Sequence, residues 1–480
     1  MDSFLLSLFD ISEQSPRIGT LISQIPKLYV ITITNYDIFG EDYMMYTFRN
    51  RCEEVPNLEY EDGLQFIYFY TKGQKGGSQA IKNMLTYFQN SDSKNAVDDA
   101  TKMIDRYVRK VKSLPEVEDG YMTVNQMALV RHYQIESDVL SIKPYGRGHI
   151  NHTFLVTTTG ACRYILQKIN NTVFPDTAAL MDNIVNVTSY LREKINAGGG
   201  NPQRETLTVI MTKEQQAYYT DAEGNDWRMY LFIGDAETIE QTTDPEVFAR
   251  SGYACGRFQA MLADYPAQQL HEILPDFHNT AKRYEDFIRA AEEDVCHRSA
   301  GVKREIAFLK ERKEEMKTLG KLLQQGELPL RVTHNDTKLN NVVFDRTTHS
   351  ALGLIDLDTV MPGLAEYDFG DAIRFGANTA AEDEKNTDRV SLSLELYHAY
   401  TEGFLKGCGG QLTKRELEML PMGAKIMTLE CGMRFLADYL QGDIYFKTAY
   451  AEHNLVRCRT QLALVADMER KWQQMCETVR

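Results

Sequence analysis

The stretch His334-Asn335-Asp336-Thr337-Lys338-Leu339-Asn340-Asn341 is followed by Ile355-Asp356-Leu357-Asp358. These two segments bring a carboxylate, an amide and a second carboxylate into a short length of chain. That set suits metal-assisted phosphoryl transfer, which asks little covalent chemistry of the protein. The acceptor hydroxyl must be held in line, its proton accepted and the phosphate charge neutralised. Asp336 is the candidate proton acceptor. Asn341 offers an amide oxygen and Asp356 a carboxylate oxygen to Mg²⁺, which favours hard oxygen ligands and fills the rest of its shell with water and phosphate. Asn341-Val342-Val343-Phe344 and Ala351-Leu352-Gly353-Leu354-Ile355 read as two strands joined by a turn over 345–350. The expected hairpin carries polar residues at both ends, a costly arrangement unless they bind something.

Three segments surround this hairpin. The first, 1–118, contains strand-like Leu28 to Thr34 and Leu64 to Tyr70, then helical patterns around Ala80 to Phe88 and Val97 to Val111. Pro115 to Gly120 reads as a linker. The second, 119–235, carries Tyr145-Gly146-Arg147-Gly148-His149-Ile150-Asn151-His152-Thr153 between strand-like stretches. Glycines in such a turn let backbone N–H groups approach phosphate without a Cβ in the way. Arg163 to Ile169 is the next strand, and alternation turns only one of Gln167 and Lys168 inward. The helix from Thr177 to Ile195 has a stripe of Leu180, Ile184, Val187 and Leu191. Asp182 or Glu193 could pair with the strand cation. Trp227 to Ile233 is an apolar strand ending at Gly234-Asp235. The third, 236–480, is mostly helical, with patterns over Val247 to Leu262 and Lys282 to Lys321. Asp368 and Asp371 fall at a helix start and read as N-capping residues.

Composition narrows the classes of function. The 480 residues are 43% hydrophobic and 25% charged, ordinary for a globular chain. A net charge of -15 argues against broad nucleic-acid or anionic-membrane binding, which needs Lys and Arg. The eight cysteines form no C-x-x-C pair and no zinc spacing with histidine, so reduced, mostly buried thiols in a cytoplasmic protein are expected. The first residues lack the basic region of an export signal, and no apolar run reaches the ~18 residues of a membrane span.

The motif H-x-D-x-x-x-x-N followed by I-D, here His334, Asp336, Asn341 and Ile355-Asp356, resembles the aminoglycoside-phosphotransferase and choline-kinase superfamily. The resemblance implies an α+β, bilobal protein-kinase-like fold, with a β-rich ATP lobe over a helical lobe. It implies ATP as phosphoryl donor and Mg²⁺ as cofactor. Gly146, Gly148, Asn151 and Thr153 would then cover the phosphates, and Lys168 would be the strand cation. Tyr230 and Phe232 would lie on the hinge strand beside adenine. Glu430 to Leu440, Gly442 to Lys447, Ile355 to Gly363 and Gly370 to Arg374 are similar to bacterial N-acetylhexosamine 1-kinases, over about Asp138 to Glu469. That likeness implies phosphorylation of the anomeric hydroxyl of a small-molecule sugar, held by Asp336, Arg434 and Tyr445. An ion pair of Arg434 with Asp438 is the structural alternative. Another small-alcohol kinase, of choline, homoserine or aminoglycoside type, is the alternative enzyme. The first segment, through Tyr46 to Glu54 and Thr71-Lys72-Gly73, resembles the C-terminal part of the PD-(D/E)XK nuclease transposase family. It shows no matching carboxylate core. A DNA-associated or structural protein is therefore the remaining alternative; oligomeric state stays open.

Overall fold

Residues 28–50, 52–55, 64–112, 126–146 and 150–480 are described by the computed structural model. Contacts divide the chain into two compact units, Met1–Met122 and Thr123–Arg480.

In the first unit the β-branched and aromatic runs form β1 (Leu28–Thr34), β2 (Met45–Arg49) and β3 (Leu64–Tyr70). β3 lies between the others, parallel to β1 and antiparallel to β2. Helices α1 (Gln79–Gln89) and α2 (Asp99–Lys112) follow. The Ser78 hydroxyl caps the first of them by accepting from the Ile81 N–H.

The second unit opens with an antiparallel sheet. Its strands are β4 (Val139–Pro144), β5 (His152–Thr158), β6 (Arg163–Lys168), β7 (Tyr219–Thr220) and β8 (Asp226–Leu231), in the order β4-β5-β6-β8-β7. The expected stripe of Leu180, Ile184, Val187 and Leu191 is buried on α3 (Thr177–Ala197). After β8 the chain enters the helical lobe through β9 (Ala236–Thr238), which pairs with one strand of the polar-ended hairpin.

That lobe is built on α4 (Pro245–Met261), α5 (Thr280–Glu293), β10 (Arg331–Thr333), β11 (Val342–Asp345), β12 (Ala351–Leu354) and β13 (Met361–Gly363). It is completed by α6 (Ala365–Gly376), α7 (Leu394–Cys408), α8 (Lys414–Gln441) and α9 (His453–Arg470). α4 and α7 approach closely because glycines face each other. A Cβ on Gly256 would stand 2.1 Å from the Phe404 carbonyl, and one on Gly403 1.9 Å from that of Ala249. A β-sheet lobe over a helical lobe is the α+β, protein-kinase-like architecture expected.

One expectation is corrected here, that of mostly buried thiols. The helical stretch Lys282 to Lys321 is made of three helices, Thr280–Glu293, Lys303–Glu311 and Thr318–Gln324. Asp294 and His297 adopt left-handed backbone, at φ 41° and 55°, which a continuing α-helix cannot accommodate. All eight cysteines are free, but only Cys255, Cys408 and Cys458 are buried. Among the described residues, no helix is long and apolar enough to cross a membrane.

Candidate active site

β11 and β12 pair antiparallel as expected, from Val342 opposite Leu354 to Phe344 opposite Ala351. Asp336 and Asn341 precede the hairpin and Asp356 follows it, so the turn folds the two halves of the motif together. Asn341 Nδ2 donates to the Asp336 carbonyl at 2.9 Å and to Asp336 Oδ2 at 3.0 Å, which leaves the amide oxygen for a cation. His334 is buried and its Nε2 contacts the Ile355 carbonyl at 2.9 Å, tying the loop to the strand that ends at Asp356. Asn335 and Asp356 both sit in left-handed backbone, at φ 64° and 62°. Such conformations cost energy in non-glycine residues and concentrate where side chains must be aimed.

Lys338 was not singled out by the sequence reading. Its Nζ stands 2.7 Å from Asp336 Oδ1. Burial pushes the Asp336 pKa up, but the Lys338 charge and hydrogen bond outweigh it and hold the carboxylate below its usual range. Asp356 keeps surface accessible to solvent, but the protein around it and the neighbouring carboxylates disfavour its charge. Desolvation, Asp358 and Asp336 push its pKa up to about 7. Clustered carboxylates of this kind are what a cation relieves. Among the described residues no three His, Cys, Asp or Glu side chains are grouped to hold a metal by themselves. The donor set of Asp356 and Asn341 therefore fits a hard cation that takes its other oxygens from phosphate and water.

Asp368 is not an N-cap. α6 begins at Ala365 after Leu364, which makes no side-chain cap. The Asp368 carboxylate instead accepts from the backbone N–H groups of His334 at 3.0 Å and Asn335 at 2.7 Å, and from Gln259 Nε2 at 2.6 Å. It anchors the loop that carries Asp336. Asp371 is no cap either: its Oδ1 accepts from Arg374 Nε at 3.1 Å and Nη2 at 2.8 Å, and Arg374 Nη1 reaches Glu382 at 3.0 Å.

The upper sheet decides between Gln167 and Lys168. Gln167 lies opposite Thr153 and Arg228, while Lys168 lies opposite His152 and Trp227 and so points to the other face. Gln167 donates to Thr153 Oγ1 at 3.0 Å and accepts from Arg228 Nε at 3.0 Å. The cation on the cleft-facing side is thus Arg228, not Lys168. Arg228 is 1% exposed and pairs with Asp358 at 2.5 Å. The only sequence signal was an arginine inside an apolar strand. Neither Asp182 nor Glu193 pairs with this strand: Asp182 meets His271 at 2.9 Å and Glu193 is exposed. Asn151 also turns down, its Nδ2 donating to Asp358 Oδ2 at 2.6 Å while its Oδ1 accepts from the Asn170 N–H at 3.0 Å. Gly146 has φ 77° and open space around a hypothetical Cβ, as a phosphate-facing turn requires. Gly148 lies outside the described residues. Tyr230 is buried beneath the Arg228 guanidinium, 5.2 Å from its ring centroid. Phe232 meets the Tyr145 ring edge-on at 5.7 Å, joining the glycine turn to the end of β8.

Arg434, on α8, does not pair with Asp438. Asp438 accepts instead from the backbone N–H groups of Ile444, Tyr445 and Phe446, at 3.0, 2.8 and 3.0 Å, and from Asn454 Nδ2 at 2.8 Å. This holds Tyr445 beside Arg434, whose guanidinium lies 5.6, 5.8 and 5.5 Å from the rings of Phe277, Tyr445 and Phe446. Half-buried Arg434 makes no ion pair or hydrogen bond among the described residues. Tyr445 itself is 66% exposed.

The phosphotransferase enzyme family (APH) matches residues 141–400, and the chain belongs to that family. The microcompartment-associated aminopropanol kinase shares its fold, with a TM-score of 0.51 at 17% identity, covering 73% of this chain and 98% of that one. Spectinomycin phosphotransferase in complex with ADP and spectinomycin gives 0.49 at 13% identity, over 73% and 98% of the two chains. Choline kinase from Cryptosporidium parvum Iowa II gives 0.47 at 15%, over 74% and 97%. The chain is a small-molecule phosphotransferase of the aminoglycoside phosphotransferase and choline kinase type, with an alcohol group as acceptor.

Proposed function

We propose that this enzyme uses ATP and Mg²⁺ to phosphorylate the anomeric hydroxyl of an N-acetylhexosamine. The observation that carries the acceptor is the contrast between its charged groups. Several carboxylates of the helical lobe already carry a partner: Asp371 Oδ1 and Glu382 are held by Arg374, and Glu430 by His278 and Thr280. Arg434, which makes no hydrogen bond or ion pair among the described residues, is by contrast a cation boxed by three aromatic rings. An ammonium acceptor such as choline or an aminoglycoside needs the reverse, free carboxylates or an aromatic cage without a resident cation. A neutral sugar with an acetamido carbonyl offers what guanidinium donors and ring faces take.

Asp336 orients the acceptor hydroxyl and takes its proton, held ionised by Lys338. Lys338, beside Asp336, is a cation that would share the charge of an incoming phosphate. Asp356 and the Asn341 oxygen would hold Mg²⁺, which when bound neutralises the phosphate oxygens. Asn151 and Arg228 both bond Asp358 and so tie the upper sheet to the segment that follows Asp356. Tyr230 and Phe232 supply the apolar end of the nucleotide slot.

The test is a phosphorylation screen with Mg·ATP over N-acetylglucosamine, N-acetylgalactosamine, neutral hexoses, choline, ethanolamine and aminoglycosides, with phosphorus NMR of the product. A 1-phosphate of an N-acetylhexosamine supports the assignment. Turnover confined to amino alcohols or aminoglycosides refutes it. Arg434→Ala should raise KM for the sugar about tenfold or more while leaving KM for ATP unchanged.

A further inference from the structure

Thr153 on β5, Gln167 on β6 and Arg228 on β8 stand directly opposite one another. Three neighbouring strands thus present one polar row, on the sheet face from which Arg228 reaches Asp358. The row is bonded in one direction. Arg228 Nε donates to Gln167 Oε1 at 3.0 Å, and Gln167 Nε2 donates to Thr153 Oγ1 at 3.0 Å. A guanidinium can only donate, so the Gln167 atom that faces it is the oxygen, and the amide is fixed in that orientation.

Each bond leaves a donor to spare. Gln167 Nε2 carries two protons and gives one to Thr153; Thr153 Oγ1 accepts, so its own proton is free. Neither side chain makes a further hydrogen bond among the described residues. Arg228 is 1% exposed and has no surface to offer a ligand. Gln167 and Thr153 are only half-buried. A buried cation therefore acts on the cleft through two uncharged groups, because an amide whose oxygen accepts from a guanidinium becomes a stronger N–H donor.

The row lies where phosphate would come. Asp358 follows the metal-ligand candidate Asp356 by two residues, and its oxygens are taken by Arg228 and by Asn151 Nδ2. Asn151 belongs to the chain that leads from the glycine turn into β5. Spare donors beside a cation-binding carboxylate suit phosphate oxygens, which only accept, and a donor bonded to an anion is stronger than a neutral pair.

We propose that Gln167 is a phosphate ligand for the nucleotide. Its spare amide N–H and the Thr153 hydroxyl donate to phosphate oxygens, and Arg228 is a positioning residue that orients the amide without touching the ligand. The proposal rests on the reading of this cleft as an ATP site. It puts a polarised amide at the strand position where a charged side chain was expected.

The full chain is titrated by calorimetry with Mg·ADP and, separately, with adenosine. Gln167→Glu is the deciding variant. It keeps an oxygen for Arg228 Nε, and with it the structural bond, but replaces the spare N–H by a carboxylate oxygen. Affinity for Mg·ADP should fall about tenfold or more, while affinity for adenosine and the melting temperature stay at parental values. Thr153→Val keeps a β-branched strand residue and removes the hydroxyl; it should weaken Mg·ADP in the same direction and leave adenosine unchanged. Parental Mg·ADP affinity in Gln167→Glu overturns the proposal, as does an equal loss for Mg·ADP and adenosine. If the glutamate variant does not fold, parental Mg·ADP affinity in Thr153→Val overturns it instead. A parent chain that binds neither probe refutes the nucleotide reading and this proposal together; a parent that binds Mg·ADP beside an unaffected Gln167→Glu refutes this proposal alone.

Discussion

Arg228, in the upper sheet, forms a buried ion pair at 2.5 Å with Asp358 in the floor of the cleft. Burial works against the guanidinium charge, but Asp358 more than compensates and holds its pKa raised. Asn151 completes the link from the glycine turn at 2.6 Å. Removing one partner of a buried pair leaves the other charge uncompensated, at a cost of about 3–5 kcal/mol. Arg228→Met should lower stability by that order in denaturant melts, and Arg228→Lys should recover only part, because lysine cannot reach Gln167 and Asp358 with one fork. A neutral effect of Arg228→Met on both stability and KM for ATP would show that the lobes are held by other means.

Asp336→Asn removes the proton acceptor and keeps the shape of the side chain. Turnover should fall roughly 10²-fold or more with folding and nucleotide affinity nearly intact. Lys338→Met should also lower kcat, since a cation beside the transferred group is lost. Near-parental turnover in Asp336→Asn would remove this residue from the chemistry.

Asp356→Ala should weaken Mg·ATP binding in calorimetric titration, because an anionic oxygen ligand disappears. Asn341→Ala should weaken it less, since an amide carries no net charge. Equal affinity in the parent and Asp356→Ala would place the metal elsewhere.

Glu366 is fully buried, its two carboxylate oxygens have no partner among the described residues, and desolvation pushes its pKa up to about 8. The folded protein therefore holds a proton that the unfolded chain releases near the ordinary glutamate pKa of 4.5. Its contribution to stability is complete below pH ~4.5 and is lost as pH rises toward about 8. Glu366→Gln should flatten that decline and raise stability at pH ~9 by roughly 1–3 kcal/mol. Parallel melting curves of parent and variant across this range would show Glu366 ionised in the fold.

The candidate catalytic residues Asp336, Asn341 and Asp356 all lie in the unit Thr123–Arg480. A chain starting at Gly120 should keep its kinase activity, and the full chain should show no Mg²⁺-dependent DNA cleavage. A folded, soluble but inactive shortened protein would assign residues 1–118 a part in shaping the active lobe.

What the sequence determined alone is what lies close along the chain. Asp336, Asn341 and Asp356 flank one hairpin, so their spacing already implied their convergence. The stripe on α3 and the strands β1, β3, β6, β8, β11 and β12 were equally legible, because periodicity and apolar runs report which side is buried. Tertiary structure decided whatever depends on partners distant in sequence. Alternation could say that Gln167 and Lys168 face opposite ways, but only the register with β5 and β8 shows which faces the cleft. Arg228 finds its carboxylate at Asp358, far along the chain. Asp368 looked like a helix cap until the His334 and Asn335 N–H groups arrived above it. Arg434 and Asp438 have the spacing of an ion pair, yet Asp438 is taken by three successive backbone N–H groups of the turn at Ile444 to Phe446. Local spacing states which pairings are possible; the competition among all donors and acceptors brought together by folding selects the one that forms.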